Sequence, residues 1–156
     1  MLKIQDSPDQ FMLEQFLPYR LSLLSNTISE GIARTYRREF GLSVTEWRVL
    51  AVLGRFPGLT ASDIRSRTAM DKVAISRAVR GLQDRGLVER SEHRQDRRRQ
   101  LLWLSDPQGK ELFAQVVPRA LEYEQRLLEA LKPGDAVQLG RLLERLQQQA
   151  AMLNEA

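Results

Sequence analysis

Apolar residues recur at steps of three and four along most of this chain, the spacing that places side chains on one side of an α-helix. The clearest run crosses residues 17–40, where one stripe is formed by Leu17, Leu21, Leu24, Ile28, Ile32, Tyr36 and Phe40. Pro18 suits the first turn of such a helix, and Gly41 supplies its end. A second run predicts an amphipathic helix over 135–154. The chain is therefore predicted to be mainly helical.

Capping residues divide the region after Gly41 into three short helices. Ser43 precedes the first, which is predicted to end at Gly54, and Thr60 precedes the second. Asp71 caps the third, predicted over 72–85, whose exposed side is basic and rich in hydrogen-bonding groups. Its predicted buried side is formed by Val73, Ile75, Ala78, Val79 and Leu82.

One stretch departs from the helical spacing. Residues 87–91 and 101–104 predict the two strands of a hairpin, joined by the polar tip 93–99. Ser105 and Pro107 then predict the start of a fifth helix, which continues to Leu131 and is kinked at Pro118. The predicted fold class is mainly α with a small β hairpin, in which a winged helix-turn-helix lobe is flanked by helices.

Composition narrows the possible functions. The 156 residues, 42% of them hydrophobic, suffice for one domain with a core. A formal charge of +4 favours an anionic partner. With no Cys and a single His, a transition-metal site is not expected, and no cofactor motif or nucleophile–base pair indicates an enzyme. Neither a secretion leader nor an apolar run of about 18 residues is found, so the expected compartment is the cytoplasm.

Arginine is concentrated in the centre of the chain, where ten arginines lie between Arg65 and Arg99. A short helix, a tight turn and a second helix with a basic face is the arrangement that places the second helix in the DNA major groove. Arginine pairs bidentately with phosphate or with the edge of guanine. Any one of these arginines could belong to a solvated surface, but their clustering favours DNA binding.

Four segments in this order resemble the multiple antibiotic resistance regulator (MarR) family of winged helix-turn-helix transcription factors. They are residues 42–50 (LSVTEWRVL), 69–79 (AMDKVAISRAV), 82–90 (LQDRGLVER) and 96–105 (DRRRQLLWLS). The last contains an Asp and an Arg two apart, followed by an apolar strand and a hydroxyl-bearing helix cap. The resemblance extends over nearly the whole chain.

The resemblance implies a homodimer that binds a pseudo-palindromic operator and needs no cofactor. Residues 43–105 would form the DNA-binding lobe, and residues 11–40 and 106–154 the dimerisation helices. The residues implied near phosphates are Ser62, Arg65 and Arg67, and those at or near the major groove are Lys72, Ala74, Ile75, Ser76, Arg77 and Arg80.

The polar tip corresponds to the family's wing. Arg98 aligns with the arginine that enters the minor groove, and Asp96 would orient it or merely neutralise its neighbours. Which wing arginine enters the groove stays open. The implied wing contacts are Arg94, Asp96, Arg97, Arg98 and Arg99, beside His93.

Family resemblance also implies a small-molecule effector that releases the protein from DNA. It implies repression of a neighbouring operon, and activation stays open as the alternative. The similarity is greatest to regulators of hydroxycinnamate and other aromatic-acid catabolism, so the expected effector is an aromatic carboxylate or its acyl-CoA ester. The expected ligand-binding residues are Tyr19, Arg20, Ser22, Ser29 and Trp47. Trp47 could instead belong to the core, and Arg20 to the solvated surface.

Another class of function remains open beside the regulator. The lobe could serve as an architectural or protein-interaction module that binds DNA weakly, without sequence preference and without an effector. DNA binding by either kind of protein would weaken as salt is raised. Only a specific regulator would bind its operator about a thousand times or more as tightly as random DNA at the same salt concentration.

Overall fold

The computed structural model describes residues 11–68, 70–92 and 100–155. The elements within these ranges follow the predicted order and confirm the mainly helical class with one small hairpin. The helices are α1 (Leu17–Phe40), α2 (Val44–Arg55), α3 (Ala61–Thr68), α4 (Lys72–Asp84), α5 (Gln108–Leu128) and α6 (Asp135–Glu155), and the strands are β1 (Val88–Glu92) and β2 (Gln100–Leu104). A 3-10 turn, Leu13–Gln15, precedes α1.

Two compact units divide the chain, with the boundary between Val117 and Pro118 inside α5. The core of the first unit lies where α2, α3 and α4 pack on one another. Its centre is made of fully buried aliphatic side chains, namely Leu50, Leu53, Ile64, Ile75 and Leu82. This three-helix core fixes α4 relative to α2 and α3.

Side-chain caps begin the three short helices where the sequence predicts them. Ser43 Oγ accepts from Glu46 N at 3.2 Å, and Glu46 Oε2 accepts from Ser43 N at 2.8 Å. Thr60 and Asp63 form the same reciprocal pair at the start of α3, at 3.2 and 2.9 Å. Asp71 Oδ1 accepts from Ala74 N at 2.8 Å at the start of α4. These bonds satisfy amide groups that a helix start leaves without partners.

Two predicted helix ends are corrected. Helix α2 does not stop at Gly54 but continues to Arg55. Glycine fits at position 54 because α5 packs closely on it. A β-carbon at this position would lie 2.5 Å from Phe113 Cε2. Helix α5 ends at Leu128, so Leu131 lies beyond it.

The hairpin is anchored on both sides of β2. Antiparallel pairing with β1 runs from Val88 opposite Leu104 to Glu92 opposite Gln100. On its other side, Leu102 donates its N–H to Leu59 O at 2.8 Å and accepts from Gly58 N at 3.1 Å. The hairpin base is therefore a fixed part of the lobe.

Ser105 joins the hairpin to the end of α4 and the start of α5. Its Oγ donates to Gly86 O at 2.6 Å and accepts from Gly109 N at 2.9 Å, and its N–H donates to Leu87 O at 3.0 Å. A β-carbon at Gly109 would clash with the carbonyl oxygen of Leu87. Ser105 thus caps α5, as the sequence predicts, and only glycine fits beside it.

A second junction joins α4 to α1. Arg85, the C-cap residue of α4, donates from Nη1 to Gly41 O at 3.0 Å and from Nη2 to Phe40 O at 2.8 Å. These carbonyl oxygens belong to the end of α1, where no further helical turn supplies donors. The guanidinium group of Arg85 therefore supplies hydrogen-bond donors to the carbonyl oxygens at the end of α1.

Large apolar side chains remain exposed in both units. In α1 the first half exposes Leu21 and Leu24, two members of the predicted stripe. The stripe of α6 is exposed in the single chain and includes Leu139, Leu142, Leu143 and Leu146. Among the described residues, no helix has the length and hydropathy needed to span a membrane.

Candidate nucleic-acid interface

The outward side of α4 carries an ordered ridge of side chains. The helix buries Ile75, Ala78, Val79 and Leu82 against the core. At about 100° per residue, the positions that point directly away from this buried side are 73, 77 and 80, followed by Asp84 at the last residue of the helix. Val73, Arg77 and Arg80 are all exposed and define what we call the outer ridge.

One predicted orientation on α4 is wrong. Val73, predicted as core, is 58% exposed, whereas Ile75 is only 2% exposed, which confirms its prediction as core and is incompatible with the base contact that the resemblance implied. Residues two apart on a helix point to nearly opposite sides, so they cannot share one face. Ala74 lies between the two sides and is half-buried.

A groove of about 480 Å³ is lined by residues of α3, α4 and the hairpin. Its lining combines three cations, two hydroxyls, one amide and an apolar floor: Arg65, Lys72, Arg90, Ser62, Ser76, Gln100, Ala61, Ile75, Val79 and Leu102. No carboxylate is among these described lining residues. Such a surface is suited to a phosphate backbone, because cations and hydroxyls are the usual partners of phosphate oxygens.

Arg90 and Gln100 were not foreseen as part of this surface. Arg90 Nη1 donates to Gln100 Oε1 at 2.8 Å across the two strands. The signal in the sequence is strand alternation, because Arg90 lies two residues from the buried Val88 and such residues share a face of the strand.

Arg67 does not join the groove. Its Cζ lies 5.2 Å from the ring centroid of Phe56, and Arg55 approaches the same ring at 5.0 Å. On α3, positions 65 and 67 point to different sides, and Arg65 takes the side of the groove. The structure thus brings Ser62, Arg65, Lys72 and Ser76 together and places Arg67 elsewhere. The wing residues His93, Arg94, Asp96, Arg97, Arg98 and Arg99 lie outside the described residues.

Polar and aromatic side chains meet where α1 packs on α2. Arg48 Nη2 donates to Ser29 Oγ at 3.2 Å, and this contact is partly buried. The rings of Trp47 and Tyr36 lie 4.9 Å apart, centroid to centroid. Of the expected ligand-binding residues, Ser29 and Trp47 therefore belong to this junction.

The other three expected ligand-binding residues lie near the start of α1. Tyr19, Arg20 and Ser22 are exposed, and Ser22 is already about 10 Å along the helix axis from Ser29. Arg20 was predicted to bind the ligand and is the residue that could pair with its carboxylate. Arg48 was not among the predicted ligand-binding residues. No carboxylate of the described residues forms an ion pair with Arg48.

Tyr36 contributes a buried hydroxyl to the same junction. The residue is 1% exposed, and its hydroxyl has no hydrogen-bond partner within the described part of the chain. Burial raises the pKa of Tyr36 to about 12, because the phenolate would lose its hydration. The hydroxyl therefore stays protonated at neutral pH and keeps its capacity to donate.

The raised pKa predicts a loss of stability at alkaline pH. In the unfolded chain tyrosine ionises near pH 10, so the unfolded state loses this proton first and unfolding is favoured as pH rises from about 10 to 12. We expect the ionisation of Tyr36 to lower the free energy of unfolding by about 2 kcal/mol across that window. Tyr36→Phe should abolish the loss and leave stability at pH 8 within about 1 kcal/mol.

Urea unfolding of both proteins at pH 8, 10 and 11.5 measures this difference, and Tyr19→Phe serves as the control at an exposed tyrosine. An alkaline loss of equal size in all three proteins would show that Tyr36 is not its source.

A basic helix-turn-helix followed by an anchored hairpin defines the class of winged helix-turn-helix DNA-binding proteins. The sequence model of the MarR family matches residues 40–99, the segment from the end of α1 to the hairpin. Over that segment the chain is similar to the MarR family.

Individual proteins are similar to this chain over more of its length. A MarR/EmrR family regulator from Acinetobacter sp. ADP1 is 27% identical, with a TM-score of 0.83 over 91% of this chain and 99% of its own. A protein of Thauera aromatica described as a transcriptional regulatory protein for the hcr operon is 28% identical over 117 residues, which span 75% of this chain and 70% of that protein.

Bordetella bronchiseptica BpsR, whose DNA binding is regulated by 6-hydroxynicotinic acid, shares the fold with a TM-score of 0.77. It is 23% identical, over 88% of this chain and 96% of its own.

Proposed function

We propose that this protein is a transcriptional regulator that binds a specific double-stranded operator by placing α4 in the major groove. The observation that carries the proposal is the outer ridge of α4, which points away from the core beside a groove lined with cations. Arg77 and Arg80 are suited to contact base edges, and the cations and hydroxyls that line the groove are suited to contact phosphates. The proposed phosphate and wing contacts are Ser62, Arg65, Lys72, Ser76, Arg90, Arg94, Asp96, Arg97, Arg98 and Arg99.

The protein is proposed to act as a homodimer on a pseudo-palindromic site. Support comes from the exposed leucine stripe of α6 and the exposed apolar first half of α1, because such surfaces are usually covered by a partner. Residues 11–40 and 106–154 would then form the dimer, and 43–105 the DNA-binding lobe. Two recognition helices about one turn of DNA apart would fit successive major grooves.

A small aromatic carboxylate, free or as its acyl-CoA ester, is the proposed effector, and its binding at the α1–α2 junction would release a repressor from the operator. The junction offers the guanidinium of Arg48, the hydroxyl of Ser29 and the ring of Trp47. Tyr36 adds a buried donor. Guanidinium–carboxylate pairing and ring stacking are the interactions that such a ligand needs. The effector of BpsR, 6-hydroxynicotinic acid, is also an aromatic carboxylic acid.

The test is a binding titration at fixed, near-physiological salt against the DNA upstream of the protein's own gene and against random DNA. Support for the proposal requires a preference of about a thousandfold or more for the upstream DNA, lost when one member of a panel of aromatic acids and acyl-CoA esters is added. Weak binding without preference, insensitive to every ligand, would favour the architectural module instead.

Arg48→Ala should separate effector binding from DNA binding. We expect operator affinity to stay within about twofold, and the effector concentration that releases half of the DNA to rise about tenfold or more, because a charge-assisted pair is lost. Arg20→Ala is the control, since Arg20 is exposed near the start of α1. The measurement is release of labelled operator during titration with the active aromatic acid. A normal response of Arg48→Ala would contradict the proposed junction, and a lost response of Arg20→Ala would place the effector near the start of α1 instead.

A further inference from the structure

Val73 is an exposed apolar residue in a charged setting. Among the described residues between 42 and 104, two large hydrophobic side chains are exposed, Phe56 at 42% and Val73 at 58%. Phe56 is accounted for by the guanidinium groups of Arg55 and Arg67, which approach its ring. Nothing comparable is found at Val73, which lies among hydrogen-bonding and cationic positions of α4.

Folding gives no reason for valine at this position. Its side chain is outside the core, as the burial of Ile75, Ala78, Val79 and Leu82 on the other side of the helix shows. Valine is also a poorer helix former than alanine, because its branched side chain loses rotamers in a helix. The residue is also unlike the leucines of α6, which form a continuous stripe, since it has no apolar neighbour on the outer ridge.

The position of Val73 on α4 accounts for an exposed valine. Val73 is the second residue of α4 and lies one turn before Arg77 on the outer ridge. In helix-turn-helix proteins the N-terminal residues of the recognition helix approach the base edges. Val73 would therefore be nearer to the floor of the major groove than any other apolar side chain of α4.

We propose that Val73 determines sequence specificity by packing against the C5-methyl group of a thymine. That methyl group is the one apolar feature that a base pair presents in the major groove, and aliphatic side chains contact it. The valine would favour a thymine at one position of each half-site, beside the bases contacted by Arg77 and Arg80. This inference rests on the proposed function, because it requires α4 to enter the major groove.

A methyl-deletion cycle tests the proposal. The unchanged protein is first used to enrich its preferred duplex from a random pool, and this duplex is synthesised with thymine and with uracil, which lacks only the methyl group. Anisotropy titrations then give the affinities of the unchanged protein and Val73→Ala for both duplexes at one salt concentration. We expect the unchanged protein to prefer the thymine duplex about three- to tenfold, and Val73→Ala to reduce that preference to about twofold or less.

Single uracil substitutions then locate the effect. Support requires one position per half-site at which the methyl group matters to the unchanged protein and not to Val73→Ala. Thermal unfolding of the two proteins should coincide, which excludes a folding defect. Equal methyl preference in both proteins, or none in the unchanged protein, would overturn the role of Val73 alone. Failure of the unchanged protein to enrich any sequence would overturn the proposed function itself, and this inference with it.

Discussion

Gly109→Ala is expected to destabilise the protein by about 3 kcal/mol or more, although the same change in a helix ordinarily stabilises it by about 0.5–1 kcal/mol. The β-carbon would clash with the carbonyl oxygen of Leu87 and would lie 3.0 Å from Ser105 Oγ. A backbone carbonyl cannot rotate away as a flexible side chain can. Relief of the clash would separate α5 from the turn after α4 and break the hydrogen bonds of Ser105, each worth about 1 kcal/mol.

Gly140→Ala in α6 is the matched control. It has the same chemical change, nothing lies within 4 Å of the added carbon, and it is off the leucine stripe. Denaturant unfolding should show opposite signs for the two variants. If both stabilise the protein, the close packing of α5 against Leu87 is not present in solution.

Combined removal of Arg65 and Arg90 is expected to weaken DNA binding about a hundredfold or more, on operator and random DNA alike. Both guanidinium groups line the groove between α3, α4 and the hairpin. Because each phosphate contact releases counterions and the proposed dimer carries both arginines twice, the slope of log affinity against log salt should fall by about four units. Arg77→Ala, on the outer ridge, should instead cost about 1–3 kcal/mol on the operator and little on random DNA.

Titrations at several salt concentrations distinguish these effects. Arg38→Ala is a control with the same loss of one charge as Arg77→Ala and half that of the double variant, since Arg38 is exposed at the end of α1 and bonded to Glu39 at 3.1 Å. An unchanged salt slope in the Arg65→Ala, Arg90→Ala variant would mean that the groove does not hold phosphates. Equal loss on every sequence for Arg77→Ala would remove it from base recognition.

Local signals in the sequence were sufficient for the order and the starts of the elements. Ser43, Thr60 and Asp71 each cap the helix that follows through atoms within three residues, so a short window contains the whole interaction. The hairpin likewise follows from alternation and a polar tip. These features depend little on the rest of the fold.

Other features depend on parts of the chain that are distant in sequence. Gly54 resembles a helix stop until Phe113 is seen to pack on it, and the contact between Arg67 and the ring of Phe56, eleven residues earlier, has no signal in the local sequence. Helical periodicity assigned Val73 and Ile75 to one face, which the geometry of a helix forbids. Arg48 was passed over because its partner, Ser29, is nineteen residues earlier.

The hydrogen bonds of Arg85 also make the formation of the end of α1 depend on the docking of α4. These bonds to Phe40 O and Gly41 O join positions 45 and 44 residues apart, so the end of α1 has these donors only after α4 has docked. Closing so long a loop costs entropy before any contact is gained. We therefore expect the last turn of α1 to open and close together with α4, as one cooperative unit in hydrogen exchange, while the exposed first half of α1 exchanges independently.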